Sequence, residues 1–285
     1  MMLLTYIKGM MMGMADLVPG ISGGTVALMT GIYQRLITAI AAVDVQSAKL
    51  FFQGQFKAFW KSVDGWFLLS VFSGIISAIF LFARLIEYLL NHHLEIVSGL
   101  FFGLIIGAAV GIIRHIRGIP VLLAVAFLLL GVLLAALVAS GQGLTFISGY
   151  GAYFLAGMIA ICAMILPGLS GTLILILLGQ YQPMLQAVND REWYILGLFM
   201  AGNVVGLMLF SRLLKWLLRL YYQHTMCFLA GLMLGSLVKV WPWQVQQQNI
   251  MPWQHTDPQT VWVLLCCLIG AAVVIGFAKF DKEAH

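Results

Sequence analysis

Residues 15–34 and 163–182 of this chain align with each other without a gap. ADLVPGISGGTVALMTGIYQ lies on AMILPGLSGTLILILLGQYQ, and Ala15/Ala163, Pro19/Pro167, Gly20/Gly168, Ser22/Ser170, Gly23/Gly171, Gly31/Gly179, Tyr33/Tyr181 and Gln34/Gln182 are identical. The match continues downstream. Residues 72–90 resemble 199–218, with Arg84 on Arg212, and 92–103 resemble 223–235, with Gly99 on Gly231 and Gly103 on Gly235. A chain that repeats itself over this distance builds one unit twice and places the two copies against each other. The boundary falls near residue 140, giving halves of 1–140 and 141–285 within a single membrane domain.

Composition fixes the solvent of that fold. The chain is 62% hydrophobic and 9% charged, with a mean hydropathy of +1.01, where a soluble domain carries about 25% charged residues. This excludes a soluble enzyme, a nucleic-acid binder and a disordered scaffold, and leaves an all-α polytopic membrane protein. Barrel strands would alternate over about ten residues, whereas the apolar runs here are continuous. Six of them approach the length that spans about 30 Å of hydrocarbon: Trp66–Leu90, Leu94–Ile113, Pro120–Ala139, Trp193–Leu220, the short Met226–Val240 and Val261–Ala278. Two further regions, Leu3–Ala42 and Tyr150–Val188, are broken at their Pro-Gly motifs. Each broken region reads as a re-entrant hairpin, with a pair of thin crossings as the alternative. The N-terminus lacks a small-residue cleavage site and reads as mature sequence. Cys162, Cys227, Cys266 and Cys267 sit in apolar runs without metal-ligand spacing, so neither metal nor cofactor is expected.

Each half is then one hairpin plus three transmembrane helices. Three crossings between the hairpins make them enter from opposite faces, which is an inverted repeat. One face collects Lys8, Lys49, Lys57, Lys61, Arg114, Arg117, Arg219, Lys279 and Lys282; the other holds Arg191 and Lys239 beside Asp190, Glu192 and Asp257. The basic face is cytoplasmic by the positive-inside rule, which puts both termini inside and the Trp-rich loop 241–254 outside. Between them, residues 47–63 place Phe52, Phe56, Phe59 and Trp60 on one helical face and Lys49, Gln53, Lys57 and Lys61 on another. That pattern suits one helix lying on the cytoplasmic leaflet, as a simple anchor or as a binder of anionic membrane lipid.

The candidate chemistry lies at the breaks. Pro19, Gly20, Pro167 and Gly168 interrupt the helices, and Ser22 and Ser170 suit the N-caps of the limbs that follow. The exposed N–H groups there make an anion site to which Gly23, Gly24, Thr25, Gly171 and Thr172 contribute donors or close backbone approach; a Gly/Ser packing seam is the plainer alternative. Arg84 and Arg212 sit inside spans at matched places, either snorkelling to the interface or flanking a shared cavity in which planar guanidinium suits phosphate. Glu87, one turn from Arg84, is its candidate resting partner. Asp16 has no acidic counterpart, Met164 standing in its place, and is either a structural cap or, with Glu87, a candidate for proton or sodium coupling. His92 and His93 read as interfacial.

ADLVPGISGGT followed by GIY, and ILPGLSGT followed by GQY, resemble the paired motifs of the bacterial polyprenyl-phosphate transporter family, and the resemblance covers essentially the whole chain. It implies a flippase of the bacterial inner membrane that returns undecaprenyl phosphate, the C55 carrier of cell-envelope synthesis, from the outer to the cytoplasmic leaflet. Helix N-termini would serve a small-anion transporter or channel as well. Undecaprenyl-pyrophosphate phosphatases share an inverted repeat, but they carry an arginine in the loop and paired glutamates nearby. Here PGISGGT has glycine at those positions, so no enzyme is expected. The topology is tested by thiol labelling from outside: single cysteines placed in 241–258 are labelled and those in 44–64 are not, while labelling of 44–64 would overturn the orientation.

Overall fold

A computed structural model describes residues 2–18, 21–139, 149–245, 248–255 and 259–283, with backbone only beyond residue 276. The first half runs α1 (Met2–Asp16), α2 (Gly23–Met29), α3 (Tyr33–Ala41), α4 (Val45–Phe52), α5 (Phe56–Ser62), α6 (Gly65–His92), α7 (Leu94–His115) and α8 (Val121–Ala139). The second half repeats this order without a counterpart of α4 and α5: α9 (Tyr150–Ile165), α10 (Gly171–Leu177), α11 (Tyr181–Asn189), α12 (Trp193–Leu220), α13 (Tyr222–Ser236) and α14 (Thr260–Glu283). A two-stranded hairpin, β1 (Gln244–Val245) with β2 (Gln248–Asn249), and a 3-10 turn at Pro252–Gln254 separate α13 from α14.

The protein is an all-α membrane protein. Among the described residues α6, α7, α8 and α12 are long and apolar enough to cross a membrane; at 1.5 Å per residue the 28 residues of α6 reach about 42 Å. The run expected to reach Val240 stops as helix at Ser236. Its last turn is taken over by the loop: the Gln244 side-chain amide donates to the Lys239 carbonyl at 3.0 Å and that of Asn249 to the Val238 carbonyl at 2.7 Å. These bonds satisfy carbonyls of the kind that a helix end leaves without an intrahelical partner.

The matched glycines after the short limbs have a common cause. Gly31 (φ 72°) and Gly179 (φ 65°) are left-handed. Gly31 N–H donates to the Leu28 carbonyl and Ile32 N–H to Ala27; Gly179 and Gln180 repeat the pair onto Ile176 and Leu175. This is a Schellman closure, and it ends α2 and α10 after seven residues each. The same closure at Gly54 (φ 75°), with Gly54 N–H on Phe51 and Gln55 N–H on Leu50, corrects the expectation of one helix over 47–63. The segment is two helices, α4 and α5.

Glycines set the long contacts. Backbone approaches pair Gly9 with Val71 and Gly13 with Ile75, so α1 runs parallel to α6; Gly202 with Phe154 and Gly206 with Met158 do the same for α12 and α9. The remaining pairs cross between halves. Gly99, Gly103 and Gly107 of α7 lie on Val263, Cys267 and Ala271 of α14, and Gly231 and Gly235 of α13 lie on Leu128 and Val132 of α8, again parallel. Each half thus lends its last helix to the other. Such close packing is the main source of helix association in lipid. Outward-facing side chains such as Phe80, Leu122 and Leu137 stay exposed, as expected of a surface covered by lipid.

A Cβ on Gly103 would overlap the Cys267 carbonyl, whereas one on Gly111, two turns further along α7, meets nothing within 4 Å. Gly103→Leu is therefore expected to cost about 1–3 kcal/mol or more through overpacking, read as a lowered Tm in detergent, and Gly111→Leu to leave Tm unchanged. Equal effects would mean that the α7–α14 contact is not what holds the halves together.

Candidate functional site

The two helix breaks meet. Thr25 Oγ1 accepts from Gly168 N–H at 2.9 Å, Ser22 Oγ donates to the Met164 carbonyl at 3.3 Å, and Tyr33 OH donates to the Ile165 carbonyl at 3.2 Å. Thr25 and Pro167 are fully buried. Gly168 (φ 83°) needs glycine twice over, for its left-handed backbone and because a Cβ would press on the Leu232 carbonyl. Each contact ties off a backbone group that a broken helix leaves without a helical partner, a necessity away from water. Pro19 and Gly20 lie outside the described residues.

The two short limbs differ at both ends. At the start of α2, Asp16 Oδ1 accepts from Gly23 N–H at 2.6 Å and Ser22 Oγ from Gly24 N–H at 3.1 Å. A side chain on Gly23 would collide with the Asp16 carboxylate. At the other end buried Lys8 donates from Nζ to the Thr30 carbonyl at 2.7 Å. An anion at the N-terminus and a cation at the C-terminus is the arrangement a helix favours. The second half lacks both charges, since Met164 stands at the place of Asp16 and Ala156 at that of Lys8. Ser170 makes no capping bond to α10, Ser170 and Gly171 are half-buried and Thr172 is exposed, whereas residues 21–27 are all buried.

A cavity of about 270 Å³ opens where α10 begins. Its polar lining is Asp16, Ser22, Ser170, Thr172 and Asn203, and its apolar walls include Met164, Leu169 and Phe199. Asn203, on α12, was not among the sequence candidates. Its amide donates to the Phe199 carbonyl at 3.1 Å, and the matched residue on α6 is Ile75. The signal that would have found it is this polar-for-apolar exchange between the repeats.

The structure brings Asp16, Ser22, Ser170, Gly171 and Thr172 together at the cavity. Gly23, Gly24, Thr25, Pro167 and Gly168 stand behind them as the contact between the breaks. Arg84, Glu87 and Arg212 do not line it. Arg84 and Glu87 are exposed on α6, and among the described residues no ion pair joins them. Exposed Arg212 reaches the Val43 carbonyl at 3.5 Å. Next to Val43, Asp44 caps α4 through the Ser47 N–H, which holds its carboxyl below the usual range, with the Arg212 charge a smaller cause. Lys8, expected among the surface charges, is instead the buried partner of α2. Among the described residues no group of His, Cys, Asp and Glu is arranged to hold a metal.

A model of the undecaprenyl phosphate translocase-like family matches residues 12–257. A protein of Vibrio cholerae named polyprenyl-phosphate transporter is 38% identical over 299 residues, covering 98% of this chain and 97% of its own. A protein of the same name from Staphylococcus aureus is 30% identical over 306 residues, again covering 98% and 97%. No solved structure matches.

Thr25→Val keeps the shape at the centre of the site and removes the acceptor from buried Gly168 N–H. The expected loss is about 1–3 kcal/mol, seen as a lowered Tm, while Thr25→Ser retains most of the stability. Equal stability of Thr25→Val and the parent would show that the contact between the breaks contributes nothing.

Proposed function

The chain belongs to the undecaprenyl phosphate translocase-like family, and from that premise we propose that it returns undecaprenyl phosphate from the outer to the cytoplasmic leaflet of the bacterial inner membrane for reuse in envelope synthesis. The observation that carries this reading is the cavity at the uncapped start of α10. The phosphate is held there by the Ser170–Thr172 backbone and hydroxyls together with Asn203. Pro167 and Gly168 shape that turn. Ser22, Gly23, Gly24 and Thr25 serve as its backing. The tail remains in lipid.

Asp16 faces the same cavity. A carboxylate beside a phosphate that carries about −1.5 to −2 repels it unless a cation shares the space. Asp16 is therefore the coupling residue of this proposal, taking a proton or sodium ion as the phosphate enters. Glu87, outside the cavity, is the lesser candidate.

The inverted-repeat plan with re-entrant hairpins is part of the proposal. Its support is the parallel pairing of α7 with α14 and of α8 with α13: if neighbouring crossings α6–α7 and α12–α13 reverse direction, α12 runs opposite to α6. Arg84 and Arg212 then lie toward opposite faces, where each meets the lipid phosphate at one mouth of the path. In this conformation α3 packs along α12 while α11 does not pack along α6 in the same way. With Arg212 on the Val43 carbonyl, that closes the cytoplasmic side and leaves the cavity turned outward.

Asn203→Leu removes one hydrogen bond to a charged group, worth about 1.5–3 kcal/mol, so undecaprenyl phosphate should bind the purified protein at least about tenfold more weakly. Ser170→Leu should abolish binding, and Ile75→Leu, at the matched place, should leave it intact. Parent-like binding in both Asn203→Leu and Ser170→Leu would remove the cavity from the path. Inorganic phosphate competing as well as the lipid would make the protein a small-anion carrier.

A further inference from the structure

The connection between α3 and α6 contains α4 and α5, whereas α11 and α12 are joined by residues 190–192 alone. None of the cavity's lining residues comes from this insertion. Its surface sets exposed aromatics beside exposed lysines. Phe51 is ringed edge-on by Phe52, Phe56 and Phe59 at 5.3–5.8 Å, yet Phe52 is 85% exposed and Phe56 59%. Apolar side chains so exposed and so close to a membrane belong in its interfacial layer.

Beside these aromatics lies a groove of about 680 Å³ between α5 and the start of α6, lined by Lys57, Trp60, Lys61, Asp64 and Trp66. Gly65 makes it possible, because any side chain there would strike the Trp60 indole. Trp60 and Trp66 meet edge-on at 5.6 Å and form its wall. The one acid in the lining is neutralised from outside: Arg35 grips Asp64 through Nε at 2.7 Å and Nη2 at 3.1 Å, and its guanidinium lies 4.3 Å over the Phe67 ring. Lys57 and Lys61 have no ion-pair partner among the described residues. The groove is therefore net positive and aromatic-walled, and it lies at the start of α6, a helix long and apolar enough to cross a membrane.

We infer that this groove binds the headgroup of an anionic bilayer phospholipid, with Lys57 and Lys61 on the phosphate and Trp60 and Trp66 against the glycerol and upper acyl chain. Since only the first half carries α4 and α5, this recognition acts on one leaflet alone and holds that face of the molecule at a fixed depth. The inference is independent of the transport reading, since it uses none of the residues of the cavity.

The test is retention of phospholipid by the full chain released from mixed phosphatidylcholine–phosphatidylglycerol nanodiscs, read by native mass spectrometry. The parent should retain phosphatidylglycerol over phosphatidylcholine. A lysine near an anionic surface is worth about a fivefold change in affinity, so Lys57→Gln with Lys61→Gln should lower the preference more than tenfold. Lys57→Arg with Lys61→Arg should keep it. Brominated phosphatidylglycerol should quench the parent's tryptophan fluorescence, and much of that quenching should disappear in Trp60→Phe with Trp66→Phe. A parent without preference, a glutamine variant that retains the lipid as the parent does, or quenching unchanged in the phenylalanine variant would each overturn the inference. Both lysines are exposed, and the arginine variant separates lost charge from lost folding.

Discussion

A helix of seven residues does not hold itself together; nucleation is costly, and isolated helices shorter than about 12–15 residues are marginal even in favourable sequences. In this protein α2 persists because α1 supplies a charge to each of its ends. Asp16 takes the Gly23 N–H and Lys8 takes the Thr30 carbonyl, with the Gly31 closure ending the helix where Lys8 can reach it. Both charges lie on one helix, so α1 is tied to α2 at both of its ends. The second break is fastened to the first half through Thr25 and Gly168, Ser22 and Met164, and Tyr33 and Ile165. The position of the candidate site therefore depends on a clamp that itself lies mostly outside the cavity.

The consequence is a structural asymmetry between two copies of one motif. In the first copy the backbone donors are already taken by the protein's own carboxylate and hydroxyl. In the second, the same bend is present without either charge, and Asn203 replaces an apolar residue on the facing helix. The first limb is capped by the protein's own side chains, and Ser170 makes no capping bond to the second. Asp16 both caps α2 and faces the cavity into which an anion would come.

Much of the architecture was legible in the sequence because it rests on periodicity and on repetition. The apolar runs, the breaks, the pairing of Gly99 and Gly103 with Gly231 and Gly235, and membership of the family all follow from patterns that repeat. What was not legible rests on single residues whose meaning comes from a distant partner. Lys8 looks like any basic residue near a terminus until Thr30 is beside it. Asn203 looks like a polar residue lost in a span. Gly54 divides a helix that amphipathic spacing alone would continue. The matched arginines are a different case: the sequence offered snorkelling or a shared cavity, and Arg84 and Arg212 do not line the cavity at the breaks. Asp16 and Asn203, which the two halves do not share, are what set the two breaks apart.

The proposed function rests on the second break alone receiving the lipid phosphate while Asp16 keeps the first. Its most direct test is a cryo-EM structure of the protein with undecaprenyl phosphate. The account predicts phosphate density within hydrogen-bond reach of Ser170, Thr172 and Asn203, with the Asp16 carboxylate still on Gly23 N–H and the tail leaving into lipid. Phosphate at the Ser22–Gly24 turn with Asp16 displaced, or phosphate held only between arginines, would contradict it.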